Sequence, residues 1–231
     1  MVNQHSFESR EALEIALADQ IVSLLKSGIA ARGKGALVVS GGRTPAGLFQ
    51  RLSTQSLDWS KVVVTLADER WVPADHEDSN ARSVQTHLLQ NAASAALFIP
   101  HVNGAESPHL GQADLELALA VLPDQVDAVI LGMGEDGHTA SFFPNAPELS
   151  VAIDAQGSQA CMGVTPPAAP HLRMTLSLTR LLASRQIFIH LCGEGKTPVL
   201  TEALGEGATE DMPIRAVLRQ DATPVDIYWA P

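Results

Sequence analysis

The chain has 231 residues, of which 45% are hydrophobic and 18% are charged, and its formal net charge is −11. This length is enough for one large α/β domain with a substantial core, or for two small domains. The negative charge argues against nucleic acid or an anionic membrane as the main partner, because both require a basic surface. It does not exclude a small phosphate ligand, which a few local cations and helix N-termini can hold.

The cysteines and the N-terminus bear on the cellular compartment. Cys161 and Cys192 lack C-x-x-C spacing and are too few for a disulfide scaffold of this length, so we expect reduced thiols buried in strands. The N-terminal residues are polar, with no apolar core of a signal peptide. No segment approaches the ~18 apolar residues of a membrane span. These features predict a cytoplasmic protein.

Strand and helix patterns alternate along the chain. The first half of the chain predicts a helix over Glu8 to Ala30, a strand over Ala36 to Val39, a helix that Thr44 caps and Pro45 opens, a strand in KVVVTLADE, and a helix in DSNARSVQTHLL capped by Asp78 or Ser79. The second half predicts a helix over Asp114 to Leu122 and then strands in VDAVILGMG, RMTLSL and RQIFIHLCG. Helices over Lys196 to Leu204 and near Pro213 to Leu218 follow, and the last strand is predicted in VDIYWA. This alternation predicts an α/β fold, with a mainly parallel sheet covered by helices on both faces. The proline-rich segment 163–171 is either a linker or an ordered loop. We expect a loop, and therefore a single domain over residues 1–231, because strands flank it closely.

In such sheets, ligands bind beyond the carboxyl ends of the strands, so the residues after each strand are the candidates for chemistry. In SGGRTP (Ser40–Pro45), Gly41 and Gly42 let backbone N–H groups approach an anion, and a helix N-terminus follows. The alternative is a plain turn from strand to helix. In ADERWVP, Asp68 and Arg70 are either cleft residues or part of a salt-bridged rim.

Two further segments carry candidate residues. In LGMGEDGHTASFFP, His138 can accept a proton near neutral pH, and Asp136 can orient it. The alternative is a structural histidine in a glycine turn. In LCGEGKTPVL, Lys196 opens a helix and can reach a phosphate, as can Arg173 at the start of RMTLSL, unless both are simply solvated.

Several other chemistries lack their motifs. His76, His87, His101, His109, His171 and His190 show no metal-ligand spacing, and neither H-E-x-x-H nor a pair of C-x-x-C motifs occurs. Ser141 lacks the G-x-S-x-G context of a nucleophilic serine, and there is no dinucleotide fingerprint. We therefore expect no metal and no cofactor.

Taken together, SGGRTP, DERWVP followed by DSN, GMGEDGHTASFFP and GEGKTPVL resemble the 6-phosphogluconolactonases, in the same order and over most of the chain. The resemblance implies a Rossmann-like fold, shared with glucosamine-6-phosphate deaminases and ribose-5-phosphate isomerases. It implies hydrolysis of 6-phospho-D-glucono-1,5-lactone to 6-phosphogluconate in the oxidative pentose phosphate pathway, without a metal.

The same resemblance assigns roles to individual residues. His138 would be the general base that activates water, and Asp136 would hold the loop and the imidazole. The phosphate would bind Gly41, Gly42 and Thr44, with charge from Arg173 and Lys196. Arg70 would bind either the phosphate or the developing oxyanion, and Asp68 would be a secondary polar group of the cleft. Arg43, where the fold commonly has a small residue, either adds a cation or points to solvent.

Two alternatives remain. A glucosamine-6-phosphate deaminase would use Asp68 as a base, but it would also carry an acidic residue soon after the histidine, where this chain has SFFP (Ser141–Pro144). A regulatory module that only binds sugar phosphates would keep SGGRTP and Lys196 but has no use for GEDGH. A DNA-binding version would also need a basic helix-turn-helix, which the sequence lacks.

Overall fold

The computed structural model describes residues 2–231, which form one large and one small β-sheet with flanking helices. The strands are β1 (Val2–Ser6), β2 (Gly35–Val39), β3 (Val62–Leu66), β4 (Asp68–Arg70), β5 (Leu97–Ile99), β6 (Ala128–Leu131), β7 (Cys161–Val164), β8 (Arg173–Leu176), β9 (Ile187–Cys192) and β10 (Val225–Ala230). The helices are α1 (Arg10–Arg32), α2 (Ala46–Ser53), α3 (Asn80–His87), α4 (Pro108–Leu119), α5 (Leu149–Ala152), α6 (Leu178–Leu182), α7 (Lys196–Leu204) and α8 (Ile214–Leu218).

The large sheet has the strand order β1-β10-β9-β6-β2-β3-β5, and all its paired strands are parallel. Successive β2 residues face opposite sides: Val38 joins the core under α4, α6, α7 and α8, whereas Leu37 and Val39 join the core under α1, α2 and α3. Buried strands and helices on both faces confirm the predicted α/β class. The order reverses between β2 and β6, and such a switch point opens a ligand crevice beyond the carboxyl ends of these two strands.

The small sheet was not predicted. It has the order β4-β8-β7 and is antiparallel, with Asp68 opposite Thr175 and Arg70 opposite Arg173. The buried strand predicted in KVVVTLADE is present as β3, but it ends at Leu66, and a second strand, β4, begins two residues later in the other sheet. The edge strands β1 and β5 were also not predicted. Residues 165–172 form the loop from β7 to β8 within the small sheet.

Helix boundaries follow capping residues more closely than apolar spacing. Ser9 caps α1 by accepting from the Ala12 N–H at 3.2 Å, so the helix begins at Arg10 rather than at the predicted residue 8. Helix α4 was predicted over 114–122 but begins at Pro108, because Ser107 is its N-cap and proline suits the first turn.

The helix after SGGRTP differs from the prediction in its cap. Pro45, not Thr44, occupies the N-cap position of α2, and no side chain caps it. The Ala46 N–H donates to the Arg43 carbonyl at 3.4 Å, whereas the next backbone N–H groups of α2 have no capping side chain and are available to an anion.

Both cysteines are free and buried, in β7 and β9, which confirms the prediction of unpaired thiols in strands. Within residues 2–231, no helix is long and apolar enough to cross a membrane.

Candidate active site

A cavity of about 210 Å³ lies beyond the carboxyl ends of β2 and β6, at the switch point of the large sheet. Eight of the ten predicted site residues line it: Gly41, Gly42, Arg43, Thr44, Asp68, Arg70, His138 and Lys196. The other two, Asp136 and Arg173, are outside the lining and contact residues at or behind its walls. The sequence-predicted candidates thus meet at one place.

The segment after β6 holds His138 in a tight turn. The Gly134 N–H donates to the His138 carbonyl at 2.8 Å, and the His138 N–H donates to Asp136 Oδ1 at 3.2 Å. A Cβ at Gly134 would collide with His138 Nδ1, so glycine is required there. Phe143 packs against the imidazole, with ring centroids 4.5 Å apart. The glycines of this segment therefore serve to bring the histidine and the aspartate together.

His138 Nδ1 lies 2.5 Å from Asp136 Oδ1. The hydrogen bond with His138 is the main cause that holds the pKa of Asp136 below its ordinary value, so the carboxylate is ionised and can only accept. The proton of a neutral imidazole must then be on Nδ1, which leaves the Nε2 lone pair free. This is the tautomer that a general base needs.

Asp68 and Arg70 are held by a network centred on Asn80, which the sequence analysis did not select. Asn80 Nδ2 donates to the Asp68 carbonyl at 2.8 Å, and Asn80 Oδ1 accepts from Arg70 Nη1 at 2.9 Å. Arg70 Nη1 also donates to the Asp78 carbonyl at 2.7 Å. A Cβ at Gly41 would collide with Asn80 Oδ1. Asn80 thereby connects the SGGRTP loop to β4.

Glu69, also missed, lies behind this network and is fully buried. Its carboxylate accepts from the N–H groups of Arg70, Asn80 and Ala81, each at 2.7 Å, and from Ser79 Oγ at 3.2 Å. Burial raises the pKa of Glu69, and the three N–H groups act in the opposite direction. The carboxylate fastens the first turn of α3 to β4. Its position in DERWVP, ahead of DSN, was the signal that could have identified it.

The Asp68 carboxylate is buried and accepts from Ser141 Oγ at 2.7 Å. Ser141 is therefore a partner of Asp68, consistent with the absence of a nucleophile motif. A deaminase would carry a carboxylate soon after the histidine. In this chain, the segment Ser141–Pro144 supplies a hydroxyl and two aromatic rings instead.

The cavity wall carries several positive groups. Lys196 Nζ donates to the Met133 carbonyl at 3.0 Å, which brings the ammonium group to the loop that carries His138. Arg43 lines the cavity and is exposed. The same loop contributes Ser40, whose Oγ atom is buried and has no hydrogen-bond partner within the described residues. Such groups are suited to an anionic ligand.

Arg173 is 5% exposed, and its Nε and Nη1 have no hydrogen-bond partner within residues 2–231. Burial lowers its pKa, while attraction from Asp68 raises it. Its Cζ lies 5.8 Å from the centre of the Phe143 ring, which also packs against His138. A buried, unpaired guanidinium is costly, which indicates that the site is built to hold a negative charge nearby.

His190 and Cys192 also line the cavity and were not selected from the sequence as site residues. His190 Nε2 lies 3.5 Å from Cys192 Sγ, and burial lowers the pKa of His190 to about 4. Burial raises the pKa of the Cys192 thiol. The thiol is therefore protonated at neutral pH, which makes it a poor nucleophile.

Comparison with known proteins gives consistent results. Residues 8–229 match the sequence profile of the family described as glucosamine-6-phosphate isomerases/6-phosphogluconolactonase. A 6-phosphogluconolactonase from Rhizobium meliloti is 43% identical over 229 residues, which cover 99% of each chain.

Solved structures agree. The crystal structure of a 6-phosphogluconolactonase from Shewanella baltica has a TM-score of 0.97 at 48% identity, covering 100% of this chain and 98% of the other. A monomeric glucosamine-6-phosphate deaminase shares the fold, with a TM-score of 0.78 at 17% identity over 98% of this chain and 97% of the other. The chain belongs to the glucosamine-6-phosphate isomerase/6-phosphogluconolactonase family.

Proposed function

We propose that this protein hydrolyses 6-phospho-D-glucono-1,5-lactone to 6-phosphogluconate, the reaction that opens the lactone in the oxidative pentose phosphate pathway. The observation that carries the proposal is the His138–Asp136 pair, set on the same cavity as the SGGRTP loop and Lys196. This arrangement combines a base that can activate water with groups that bind a phosphate. The relatives named 6-phosphogluconolactonase support the choice of substrate.

In the proposed mechanism, His138 Nε2 takes a proton from a water molecule as that water attacks the lactone carbonyl. The negative charge then on the carbonyl oxygen is stabilised by the positive groups of the cavity. When the tetrahedral intermediate collapses, the ring C–O bond breaks and the imidazolium returns its proton to the leaving oxygen. Hydrolysis changes no oxidation state, so the reaction needs no redox cofactor.

Phosphate binding would orient the lactone. Gly41, Gly42 and Thr44 lie at the uncapped N-terminus of α2, where backbone N–H groups favour an anion. Arg173 and Lys196 would add charge. Binding energy from a phosphate remote from the carbonyl can position the ring for attack. In this proposal Asp136 orients the imidazole, Asp68 is a polar group of the wall, and Arg43 at the open side adds a cation.

Arg70 binds either the phosphate or the oxyanion, and steady-state kinetics of Arg70→Lys separate the two. If Arg70 contacts the phosphate, the substitution raises KM, because that contact is present in both the ground state and the transition state. If Arg70 contacts the oxyanion, the substitution lowers kcat, because the negative charge is present only in the transition state.

The deaminase alternative is disfavoured by the surroundings of Asp68. A base in that reaction must be free to take a carbon-bound proton, whereas this carboxylate accepts the Ser141 hydroxyl. The segment Ser141–Pro144 also has no carboxylate. A purely regulatory module is disfavoured because it would have no use for an aspartate that fixes the tautomer of His138.

The proposal includes one catalytic domain over residues 1–231, which is supported by the pairing of the first and last strands in one sheet. It also includes a cytoplasmic location, which is supported by the two unpaired thiols. A sugar-phosphate lactone is the expected small-molecule partner, and nucleic acid and membrane are not expected partners.

The test measures hydrolysis of freshly generated lactone, with a no-enzyme blank for spontaneous opening, beside a glucosamine-6-phosphate deamination assay. We expect activity in the first assay, with most of it lost in His138→Ala. Activity only in the deamination assay would reject the proposed reaction. Wild-type turnover by a folded His138→Ala protein would reject the general base.

A further inference from the structure

Three potential metal ligands, which no sequence spacing connects, converge outside the cavity lining. His171 Nε2 lies 3.1 Å from Asp78 Oδ2, and His76 Nδ1 lies 3.8 Å from the same oxygen. One ligand atom from each residue falls within 4.8 Å of the other two. The absence of metal spacing in the sequence thus did not exclude a grouping in space, because His76 and Asp78 lie before α3 and His171 lies in the β7–β8 loop.

Backbone hydrogen bonds hold the first loop in place. The His76 N–H donates to the Pro73 carbonyl at 3.0 Å, the Ser79 N–H donates to the His76 carbonyl at 3.1 Å, and the Asp78 N–H donates to His76 Nδ1 at 3.1 Å. The second loop is tied to the first where the Trp71 N–H donates to the Leu172 carbonyl at 2.8 Å. The group is therefore largely formed before any ligand binds.

The donor set favours a borderline transition ion. Two imidazoles and one carboxylate suit Zn²⁺, whereas Mg²⁺ and Ca²⁺ prefer oxygen ligands. The side chains are 28% (His171), 36% (His76) and 48% (Asp78) exposed, so water can reach the ion and complete its coordination. The net charge of −11 favours cations generally.

We propose that His76, Asp78 and His171 form a binding site for Zn²⁺ at the rim of the candidate active site. Binding would replace two hydrogen bonds, the one between His171 and Asp78 and the one from the Asp78 N–H to His76 Nδ1, with bonds from the three side chains to the ion. The site is separate from the proposed hydrolysis, since none of its three residues lines the cavity. It is nevertheless connected to Arg70, whose Nη1 donates to the Asp78 carbonyl.

The test is isothermal titration of the untagged, metal-free protein with Zn²⁺, together with visible absorption on addition of Co²⁺. We expect one equivalent of tightly bound Zn²⁺, and a Co²⁺ spectrum of low coordination number. His76→Asn and His171→Asn should each weaken Zn²⁺ binding by more than ~100-fold, because even the outer partners of metal ligands account for about 10–100-fold. Asparagine is chosen because it tolerates the positive φ of 68° at His171 and can still accept the Asp78 N–H from position 76.

Two control variants make the result specific. His109→Asn changes another surface histidine that pairs with a carboxylate, Glu148 at 3.1 Å, but that lacks a third ligand. His138→Ala removes the cavity-lining histidine that is hydrogen-bonded to Asp136. Both should bind Zn²⁺ as the wild type does. The proposal fails if the wild type binds no stoichiometric Zn²⁺, if the His76 and His171 variants still bind it normally, or if the ion is lost in His138→Ala.

Discussion

Asp136→Asn is the substitution that most directly tests the proposed base. In the wild-type protein an ionised carboxylate accepts from Nδ1, 2.5 Å away, so the single proton of the neutral imidazole lies on Nδ1 rather than on Nε2. The asparagine side chain can present its NH₂ group to the same nitrogen. Nδ1 would then accept and Nε2 would carry the proton, which is the tautomer that cannot act as a base.

The size of the loss follows from what the base contributes. A positioned general base is worth about 10²–10⁴-fold in rate, or about 3–5 kcal/mol of barrier. In serine proteases the corresponding change of the orienting aspartate lowers kcat by about 10⁴-fold through the wrong tautomer. We therefore expect kcat to fall by about 10²–10⁴-fold, with little change in KM because no phosphate contact is lost. Asp136 is 51% exposed, so stability should change by less than ~1 kcal/mol.

The assay is steady-state hydrolysis of fresh lactone with blank subtraction, with thermal unfolding followed in parallel. Glu135→Gln is the matched control, because it removes the same charge from the neighbouring exposed position without touching the imidazole. The control should retain wild-type kinetics. A folded Asp136→Asn protein whose kcat stays within threefold of wild type would refute the tautomer argument, and equal losses in both variants would attribute the effect to loop charge alone.

Three further outcomes are expected. Lys196→Ala should raise KM for the phosphorylated lactone more than it lowers kcat; an unchanged KM would contradict a phosphate contact. Glu69→Gln should lower the free energy of unfolding by about 2 kcal/mol, measured in urea. An amide cannot accept from all the donors that the carboxylate binds, so one buried N–H is left unpaired. The exposed control Glu11→Gln should change this free energy by less than ~0.5 kcal/mol. Burial lowers the pKa of His101 from 6.5 to about 4, so as the pH falls the unfolded chain takes up the proton before the folded chain does. Between pH 6.5 and pH 4, the free energy of unfolding of the wild type should therefore fall by about 3 kcal/mol relative to that of His101→Gln. Parallel pH profiles of the two proteins would contradict this.

The large sheet could be predicted because its strands are buried on both faces and therefore appear as continuous apolar runs. The loops after β2 and β6 could be found for the same reason, since parallel topology brings the carboxyl ends of strands to one edge. The two edge strands were missed for different reasons. Strand β1 is mostly polar, with four exposed residues of five, and β5 is apolar but only three residues long, with Leu97 51% exposed. Where helix ends were predicted from apolar spacing alone, they differ by up to several residues from the observed ends, because capping residues determine where a helix begins.

The small antiparallel sheet explains why the site was identified only in part. From the sequence, Asp68 and Arg70 were expected to follow a strand, but they form a strand of their own that pairs with Arg173 and Thr175. This pairing is determined by contacts between segments about a hundred residues apart, and no local pattern reports it.

The pairing of β4 with β8 determines how the positive charges of the site are arranged. In this sheet Arg70 and Arg173 lie directly opposite each other, and Arg173 retains unpartnered donors in a buried position. Burial of the Arg173 guanidinium and, to a smaller extent, repulsion from Arg70 lower the pKa of Arg173, and attraction from Asp68 and Glu69 offsets only part of this combined cost. A bound phosphate or oxyanion would relieve it, so the sheet holds the cations in an arrangement that is most favourable when the anion is present. Asn80 and Glu69 connect this arrangement to α3, and Asn80 lies against Gly41 of the SGGRTP loop. The position of the cations therefore depends on two residues that carry no positive charge, Asn80 in the cavity wall and the fully buried Glu69 behind it.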